Sequence, residues 1–240
     1  MWTTLIVAGG FGTRLNPFTK IIPKPLMPVG DHSLLERHIS ALAKAGALDI
    51  YIAVHYCADL FGSIVEALAS RYGVHIHLVL EPQPKGTFES ALTLCQEFAD
   101  RGENRPLMVM NGDIASDLDL VDFHRFHMAS GADFSVAVND YIYRVPYGVV
   151  ESHESRMLGV KEKPAVPFPV LAGYYLMQPS ISKLLGSAGS GELGVDKVLS
   201  SLLARGSHVS TYQHHGKWID AGTIEDLHRA SELFSERGMA

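Results

Sequence analysis

Short, almost continuous apolar segments alternate in the first half of the chain with segments whose apolar residues recur every three or four positions. The first kind is typical of buried strands and the second of helices that cover a sheet. Strands are predicted at Thr3–Ala8, Asp49–Val54, Val74–Leu80, Leu107–Met110 and Phe134–Val138. This alternation predicts an α/β fold with a mostly parallel, twisted sheet and helices on both faces.

The helices predicted between these strands have recognisable ends. Ser33 can cap a helix that runs to Gly46, because a serine hydroxyl accepts a hydrogen bond from a free backbone N–H of the first turn. The other helices predicted in this half are Leu60–Arg71, which ends at Gly73, Phe88–Phe98 and Leu118–Ser130.

The pattern changes after Asn139. Short strands are predicted at Tyr147–Glu151, Arg156–Lys163, Gly173–Met177 and His208–Tyr212, and helices at Ile181–Leu185, Val195–Ala204 and Ile224–Phe234. We find no internal repeat, low-complexity tract or long linker. One domain, residues 1–240, is therefore expected, with residues 1–140 and 141–240 as its two unlike halves.

The composition is that of an ordinary globular protein. Of the 240 residues, 47% are hydrophobic and 19% charged, which allows a large core without disulfides. The only cysteines, Cys57 and Cys95, have no redox or zinc spacing and are expected to be buried or half-buried thiols. No apolar run approaches the roughly 18 residues that span a bilayer. A cytoplasmic protein without a membrane partner is expected.

Charge is unevenly distributed along the chain. The net charge of −6 argues against a nucleic-acid partner. Residues 1–30 nevertheless contain Arg14, Lys20 and Lys24 and no acidic residue; the first is Asp31. A basic opening segment in an acidic protein is consistent with an anion site, although chance clustering on a solvated loop would give the same pattern.

Glycines follow the first predicted strand directly. Gly9, Gly10 and Gly12 lie where open α/β sheets bind ligands, and backbone N–H groups can approach a phosphate closely there. The dinucleotide fingerprint would need a third glycine where Leu15 stands, which is the main reason to exclude a nicotinamide-dependent oxidoreductase. A P-loop would need Gly-Lys-Ser/Thr, which is absent.

Two cations complete this loop. Arg14 can bind two phosphate oxygens with its guanidinium, and Lys24, between Pro23 and Pro25, presents a point charge on a stiffened backbone. Glycines alone would be weak evidence. Combined with these cations and no nearby acid, they predict a polyphosphate site.

Two aspartates are candidate metal ligands. Asp113 follows the apolar strand Leu107–Met110, and Asp220 lies in a tight turn before a helix. Mg²⁺ is commonly held by one or two carboxylates, with waters and substrate phosphates as its other ligands. Each aspartate alone could equally cap a helix or form a turn. His124 and His127 share a helix face but lack a third ligand with suitable spacing.

Six motifs resemble those of the sugar-1-phosphate nucleotidylyltransferases, in the order of that family. The longest is GGFGTRLNPFTKIIPKPLMP, from Gly9 to Pro28. The others are Glu81–Ala91 (EPQPKGTFESA), Asn111-Gly112-Asp113, Tyr147-Gly148-Val149-Val150, Glu162-Lys163-Pro164 and Trp218–Thr223 (WIDAGT). The resemblance covers the whole chain. In its short length, the chain is most similar to the heptose- and aminosugar-1-phosphate guanylyltransferases.

The resemblance implies a Rossmann-like, GT-A-like fold, with nucleotide bound by the first half and sugar phosphate by the second. It also implies a cytoplasmic, Mg²⁺-dependent enzyme that is a monomer or homodimer. Arg14 and Lys24 would be catalytic, and both Asp113 and Asp220 match the family's metal positions. The nucleotide would be bound by Ala8, Gly9, Gly10, Gly12, Thr13, Glu81, Gly86 and Thr87. The sugar phosphate would be bound by Gly148, Glu162, Lys163, Leu171 and Gly173.

The sequence constrains the identity of the nucleotide base and of the sugar less than it constrains the type of reaction. Glu81 could accept from guanine N1–H and N2–H₂, which favours GTP over UTP, dTTP or CTP, although it could also cap its loop. Leu171 stands where close family members carry an asparagine that reads sugar hydroxyls. Two alternatives to the enzyme remain: a GT-A glycosyltransferase, and a non-catalytic sugar-nucleotide sensor.

Overall fold

The computed structural model describes residues 2–82, 86–185 and 193–235. Residues 83–85 of the Glu81–Ala91 motif lie outside the described residues. The strands are β1 (Thr3–Val7), β2 (Pro28–Val29), β3 (His32–Ser33), β4 (Asp49–Val54), β5 (His75–Leu80), β6 (Leu107–Asn111), β7 (Ile114–Ser116), β8 (Phe134–Arg144), β9 (Val149–His153), β10 (Arg156–Lys161), β11 (Ala165–Met177), β12 (Val209–Gln213) and β13 (Trp218–Asp220).

The helices of the described residues alternate with the strands in the first half of the chain and lie mainly near the end of the second half. They are α1 (Leu34–Lys44), α2 (Ala58–Tyr72), α3 (Glu89–Asp100), α4 (Leu120–Ser130), α5 (Ile181–Leu185), α6 (Val195–Ala204) and α7 (Ile224–Phe234). Short 3-10 turns lie at Thr13–Leu15, Phe18–Lys20 and Lys24–Leu26, within the predicted phosphate loop.

A seven-stranded sheet in the order β12-β8-β11-β6-β1-β4-β5 forms the centre of the protein. All neighbours pair in parallel except β11, which is antiparallel to both β6 and β8. The mostly parallel α/β fold predicted from the sequence is therefore confirmed. Because β1, β4, β5 and β6 run in one direction, the residues that follow them gather at one edge of the sheet.

Local signals explain where helices begin and end. The Ser33 hydroxyl accepts from the backbone N–H of Glu36 at 3.1 Å, as expected for the cap of α1. Gly73 ends α2 with a φ of +66°, a conformation that a residue with a Cβ adopts less easily. α4 begins at Leu120, two residues later than predicted, because Asp119 caps it through the N–H of Asp122.

The strands β8 and β11 are much longer than the predicted Phe134–Val138 and Gly173–Met177. They continue past the sheet as a two-stranded ribbon, in which residues 139–144 pair with 165–170. Pro167 and Pro169 lie within β11, and such residues argue against a strand when the sequence is considered alone. Proline is tolerated at these two positions because the backbone N–H would point away from β8, where no hydrogen bond of the ribbon is formed.

Several other groups have purely structural surroundings. His127 is buried and contacts the Ser135 hydroxyl at 2.7 Å and Gln178 at 3.1 Å, so it belongs to a core hydrogen-bond network.

Cys95 is buried, but Cys57 is exposed at the start of α2, so the expectation of two buried or half-buried thiols was wrong for Cys57. Within the described ranges, no helix is long and apolar enough to cross a membrane.

Candidate active site

A cavity of about 290 Å³ opens at the carboxyl ends of β1 and β6. Its lining combines small backbone-exposing residues with two cations and a carboxylate. The lining residues are Val7, Ala8, Gly10, Gly12, Thr13, Arg14, Lys24, Pro25, Thr87, Asn111, Asp113 and Gly222. The structure thus brings together most of the residues predicted to bind the nucleotide and the metal.

Lys24 lies at the centre of the charged residues of this cavity. It is only 5% exposed, and its ammonium lies 2.7 Å from Asp113 Oδ2 and 3.3 Å from Asp220 Oδ1. The prolines on either side hold it in a 3-10 turn, so the direction of the side chain is set by a stiff backbone. A buried ammonium needs such partners, because its desolvation is otherwise unfavourable.

The two aspartates reach this point from distant parts of the chain. Asp113 follows β6, and the next residue begins β7, which pairs with β13 so that Ile114 lies opposite Asp220. The backbone N–H of Ala221 also donates to the Asp113 carbonyl at 3.0 Å. A small antiparallel pair therefore fixes the two carboxylates side by side.

Arg14 extends the positive charge toward the open side of the cavity. Gly12, with a φ of +57°, turns the chain into the short 3-10 segment that carries the exposed Arg14 side chain. The guanidinium lies over Gly222, where an added Cβ would be 3.0 Å from Nη1. Gly222 therefore leaves room for the guanidinium near the aspartate turn.

The carboxylate pair fits a divalent cation. Asp113 and Asp220 already surround one positive charge, the Lys24 ammonium, and both keep partly exposed side chains. Among the described residues, no group of three or more His, Cys, Asp or Glu side chains could form a complete protein cage. Asp113 lines the cavity and Asp220 contacts the same ammonium, and two such carboxylates suit Mg²⁺, which obtains its other ligands from water and phosphate.

Glu81 follows β5 at the same edge of the sheet. One of its carboxylate oxygens accepts from the Ser90 hydroxyl, and its backbone carbonyl lies 2.8 Å from His55 Nδ1. Its other oxygen would be 2.7 Å from a Cβ on Gly9, so glycine at this position leaves room for the carboxylate where it lies. The side chain is thus held beside the phosphate loop, and Thr87 lines the cavity nearby.

Gly86 is constrained by packing in addition to any contact with a nucleotide. Its φ is +93°, and a Cβ there would lie 2.6 Å from the backbone of Leu193. Gly173, with a φ of +80°, similarly packs against Ile114 and Asn111 at a bulge in β11. Both glycines therefore have a structural reason of their own, and their predicted ligand contacts stay predictions.

Two buried side-chain atoms without hydrogen-bond partners lie on His38 and on its neighbour Asn111, which lines the cavity. His38 of α1 is 3% exposed, and its Nε2 has no hydrogen-bond partner; neither has Oδ1 of Asn111. Burial lowers the pKa of His38 to about 4, although the negative charge of Asp113 opposes this shift. His38 is therefore neutral at physiological pH and adds no positive charge next to the aspartates.

The predicted sugar-phosphate residues lie on the second half of the chain. A Cβ on Gly148 would be 3.0 Å from Oε2 of Glu162, so the structure brings these two together. Lys163 is exposed and has a φ of +44°, which is uncommon for a residue with a side chain. Leu171 is 37% exposed and lies opposite Val138 in the β8–β11 pair. The binding of sugar phosphate by these residues remains a prediction.

Asn111, Gly222 and Ser90 are among the residues of the site that were not singled out from the sequence. Asn111 and Gly222 line the cavity, and Ser90 holds Glu81. All three lie inside the quoted motifs, which was the available signal. Their roles depend on partners far along the chain, so local sequence could not reveal them.

Comparison with known proteins gives consistent results. A sequence model of the family described as Nucleotidyl transferase matches residues 3–237. A mannose-1-phosphate guanyltransferase of Candida albicans is 32% identical over 93% of this chain, and one of Aspergillus oryzae is 30% identical over 93%. A solved UDP-glucose pyrophosphorylase in complex with UDP-glucose superimposes with a TM-score of 0.73 at 22% identity, covering 98% of each chain.

The curated relatives are longer than this chain. The chain spans 62% of the Candida protein and 61% of the Aspergillus protein. The similarity therefore concerns only part of each of those proteins.

Proposed function

The chain belongs to the nucleotidyl transferase family, and from this premise we propose that it transfers a nucleotidyl group from a nucleoside triphosphate to a sugar 1-phosphate. The products would be a nucleoside diphosphate sugar and pyrophosphate. The observation that carries the proposal is the meeting of Arg14, Lys24 and Asp113 at one cavity beside a glycine-rich loop, with Asp220 in contact with the Lys24 ammonium. A protein that only binds a sugar nucleotide would not need all four.

The chemistry proposed requires alignment and charge neutralisation more than proton transfer. A phosphate monoester has a second pKa of about 6 and is largely dianionic at neutral pH, so no general base is needed. One of its oxygens attacks the α-phosphorus in line. A new P–O bond forms as the bond to the β-phosphate breaks, and pyrophosphate leaves with its electron pair.

Each residue of the cavity is proposed to take a part in this step. Arg14 steadies the departing pyrophosphate with its two-pronged guanidinium, because its exposed side chain can reach the outer phosphates. Lys24 contacts phosphate near the reacting centre. Backbone N–H groups of Gly9, Gly10 and Gly12 surround the triphosphate without side chains in the way.

Members of this family generally use a divalent metal, and we propose Mg²⁺ held by Asp113 and Asp220. When bound, the ion neutralises charge on the phosphate oxygens around the reacting phosphorus. Asp113 and Asp220 would hold the ion, and the stiff turn around Lys24 keeps its ammonium within 2.7 and 3.3 Å of the two carboxylates.

The proposal is tested by measuring pyrophosphate release from five nucleoside triphosphates, ATP, CTP, GTP, UTP and dTTP, against a panel of sugar 1-phosphates. We expect release only when both substrates are present, and a matching diphosphate sugar by chromatography. A glycosyltransferase would instead consume a diphosphate sugar and release a nucleoside diphosphate. No pyrophosphate from any pair would contradict the proposal.

GTP is proposed as the preferred nucleotide. The Glu81 carboxylate, held by Ser90, can accept two hydrogen bonds from guanine, and the curated relatives are named as guanyltransferases. Replacing Glu81 by glutamine leaves one acceptor and adds a donor that opposes guanine N2–H₂. We expect kcat/KM for GTP to fall about ten- to a hundredfold, with a relative gain for UTP and dTTP.

The control for this substitution is Glu97→Gln, which removes an exposed carboxylate from the same helix as Ser90. It should leave the order of nucleotides unchanged. If the unsubstituted protein uses UTP or dTTP better than GTP, the assignment of Glu81 is wrong.

The sugar is proposed to be less polar than a simple hexose at the carbon that faces Leu171. A buried hydroxyl without a partner there would lower affinity roughly ten- to a hundredfold, whereas a methyl or acyl group would gain by contact. We therefore expect deoxyhexose or N-acetylhexosamine 1-phosphates to be preferred. The alternative is that Glu162 and a water replace the missing contact.

Kinetics with Leu171→Asn against the unsubstituted protein would test this, using mannose, glucose, heptose, deoxyhexose and N-acetylhexosamine 1-phosphates. The asparagine should shift preference toward the fully hydroxylated sugars. Phe168→Asn is the matched control, because Phe168 is exposed on the opposite face of the same strand. A preference for mannose or heptose that Leu171→Asn does not change would contradict the prediction.

A further inference from the structure

The ribbon formed by β8 and β11 beyond the central sheet carries exposed apolar side chains on both faces. Tyr141, Ile142, Tyr143 and Phe168 are each about half exposed, at 52%, 51%, 48% and 49%. A two-stranded pair is only marginally stable in water unless something packs or pairs with it. Contiguous apolar surface of this kind usually marks an interface.

The prolines of β11 show which backbone groups face outward. In the register of the ribbon, Pro167 lies opposite Ile142 and Pro169 opposite Asp140. Proline has no N–H, so these are the pairs that exchange no hydrogen bonds, and both residues of each pair point their backbone groups away from the partner strand. The N–H and C=O groups of Asp140 and Ile142 therefore point away from β11, and those of Arg144 follow with the same alternation.

Val138 confirms this alternation independently. It lies two residues before Asp140 and so shares its orientation, and its carbonyl accepts from the backbone N–H of His214, on the β12 side, at 2.8 Å. The pairing of β12 with β8 ends at this point, where Gln213 lies opposite Val138. Among residues 2–82, 86–185 and 193–235, no strand pairs with the outer edge of 140–144.

The two edges of the ribbon thus differ. The edge of β11 is blocked by Pro167 and Pro169, a common way to prevent another strand from pairing. The edge of β8 has outward N–H and C=O groups, aromatic and β-branched residues and no proline. It is suited to strand addition.

The sequence along the open edge is complementary to itself. Residues 140–144 read Asp-Tyr-Ile-Tyr-Arg, so an antiparallel copy with Ile142 opposite Ile142 places Asp140 opposite Arg144 and Tyr141 opposite Tyr143. Opposite charges and aromatic pairs across strands are both stabilising. We propose that this edge pairs with the same edge of a second copy of the chain, giving a two-fold symmetric dimer with a sheet continuous across both subunits.

The register centred on Ile142 satisfies the outward groups and the charges together. An antiparallel pairing centred on Asp140 or on Arg144 would place like charges opposite each other. A pairing centred on Tyr141 would require Val138, which already pairs with Gln213, to face Arg144 of the other copy. A shift by one residue would set outward groups of one strand against inward groups of the other.

Analytical ultracentrifugation across a range of micromolar concentrations tests the dimer. The unsubstituted chain should sediment at twice the mass of one chain. Asp140→Arg and Arg144→Asp should each weaken association by roughly a hundredfold, because each sets like charges opposite one another twice in the symmetric interface. The double substitution exchanges the two charges and should restore the dimer.

Two further variants separate pairing from folding. Ile142→Pro removes an outward N–H and mimics the prolines of β11, so it should give a folded monomer with unchanged far-ultraviolet circular dichroism. Thr211→Arg places a charge at an exposed position of β12, an outer strand of the central sheet, and should leave the dimer intact. A monomeric unsubstituted chain, an oligomer that ignores Asp140→Arg and Ile142→Pro, or a double variant that stays monomeric would each overturn the proposal.

Discussion

Replacing Asp113 or Asp220 by asparagine is expected to lower kcat by about a hundred- to a thousandfold, the usual effect of removing a major electrostatic contribution to a transition state. Asparagine has nearly the same shape but carries no charge, so it holds a divalent cation and the Lys24 ammonium much less well. Lys24 keeps its second carboxylate in each single variant. The fold should therefore be retained.

Activity as a function of Mg²⁺ concentration is the measurement for these variants, with circular dichroism as the check on folding. The concentration needed for half-maximal activity should rise in each of them. Asp119→Asn is the matched control: it lies close in sequence, and asparagine caps a helix as well as aspartate does. Full activity of the unsubstituted protein in excess chelator would exclude the metal proposal.

Replacing Arg14 by alanine is expected to lower kcat roughly a hundred- to a thousandfold while changing the KM for the sugar phosphate little. The guanidinium is proposed to bind the leaving pyrophosphate, where charge grows as the bond breaks. Its contribution should therefore be larger in the transition state than in the bound substrates. Arg14→Lys keeps the charge but not the two-pronged geometry, so its kcat should lie between that of the unsubstituted protein and that of Arg14→Ala.

Steady-state kinetics with each substrate varied in turn would measure these effects. Lys20→Ala serves as control, because Lys20 is an exposed cation of the same loop and does not line the cavity. A change confined to the KM for the sugar phosphate would show that Arg14 binds the other substrate instead.

Patterns within a short window predicted much of the fold. Strand β4 begins and ends at the predicted residues, Asp49 and Val54, and Ser33 caps α1 as its position indicated. Such features depend on side-chain periodicity and on hydrogen bonds within one turn. The same kind of window gave too short a β8 and β11, because their pairing partners lie in a distant part of the chain.

The candidate site shows the same division. Its glycines, cations and aspartates could be named from motifs, but the bridge from Lys24 to Asp113 and Asp220 could not. Nor could the bond from Ser90 to Glu81, or the unpartnered groups of His38 and Asn111. These contacts depend on how strands are ordered in the sheet, which no local pattern states. The roles of the site residues stay predictions until the variants above are measured.

The pairing of β7 with β13 also has a consequence for how the proposed activity would arise during synthesis. Lys24 and Asp220 are 196 positions apart in sequence, so their contact forms only after a loop of that length has closed, which is entropically unfavourable. A nascent or cleaved chain that stops before Trp218 already contains Arg14, Lys24 and Asp113 but lacks the second carboxylate. With the proposed roles, such a fragment lacks one of the two metal ligands, so we expect activity only after β13 has paired with β7.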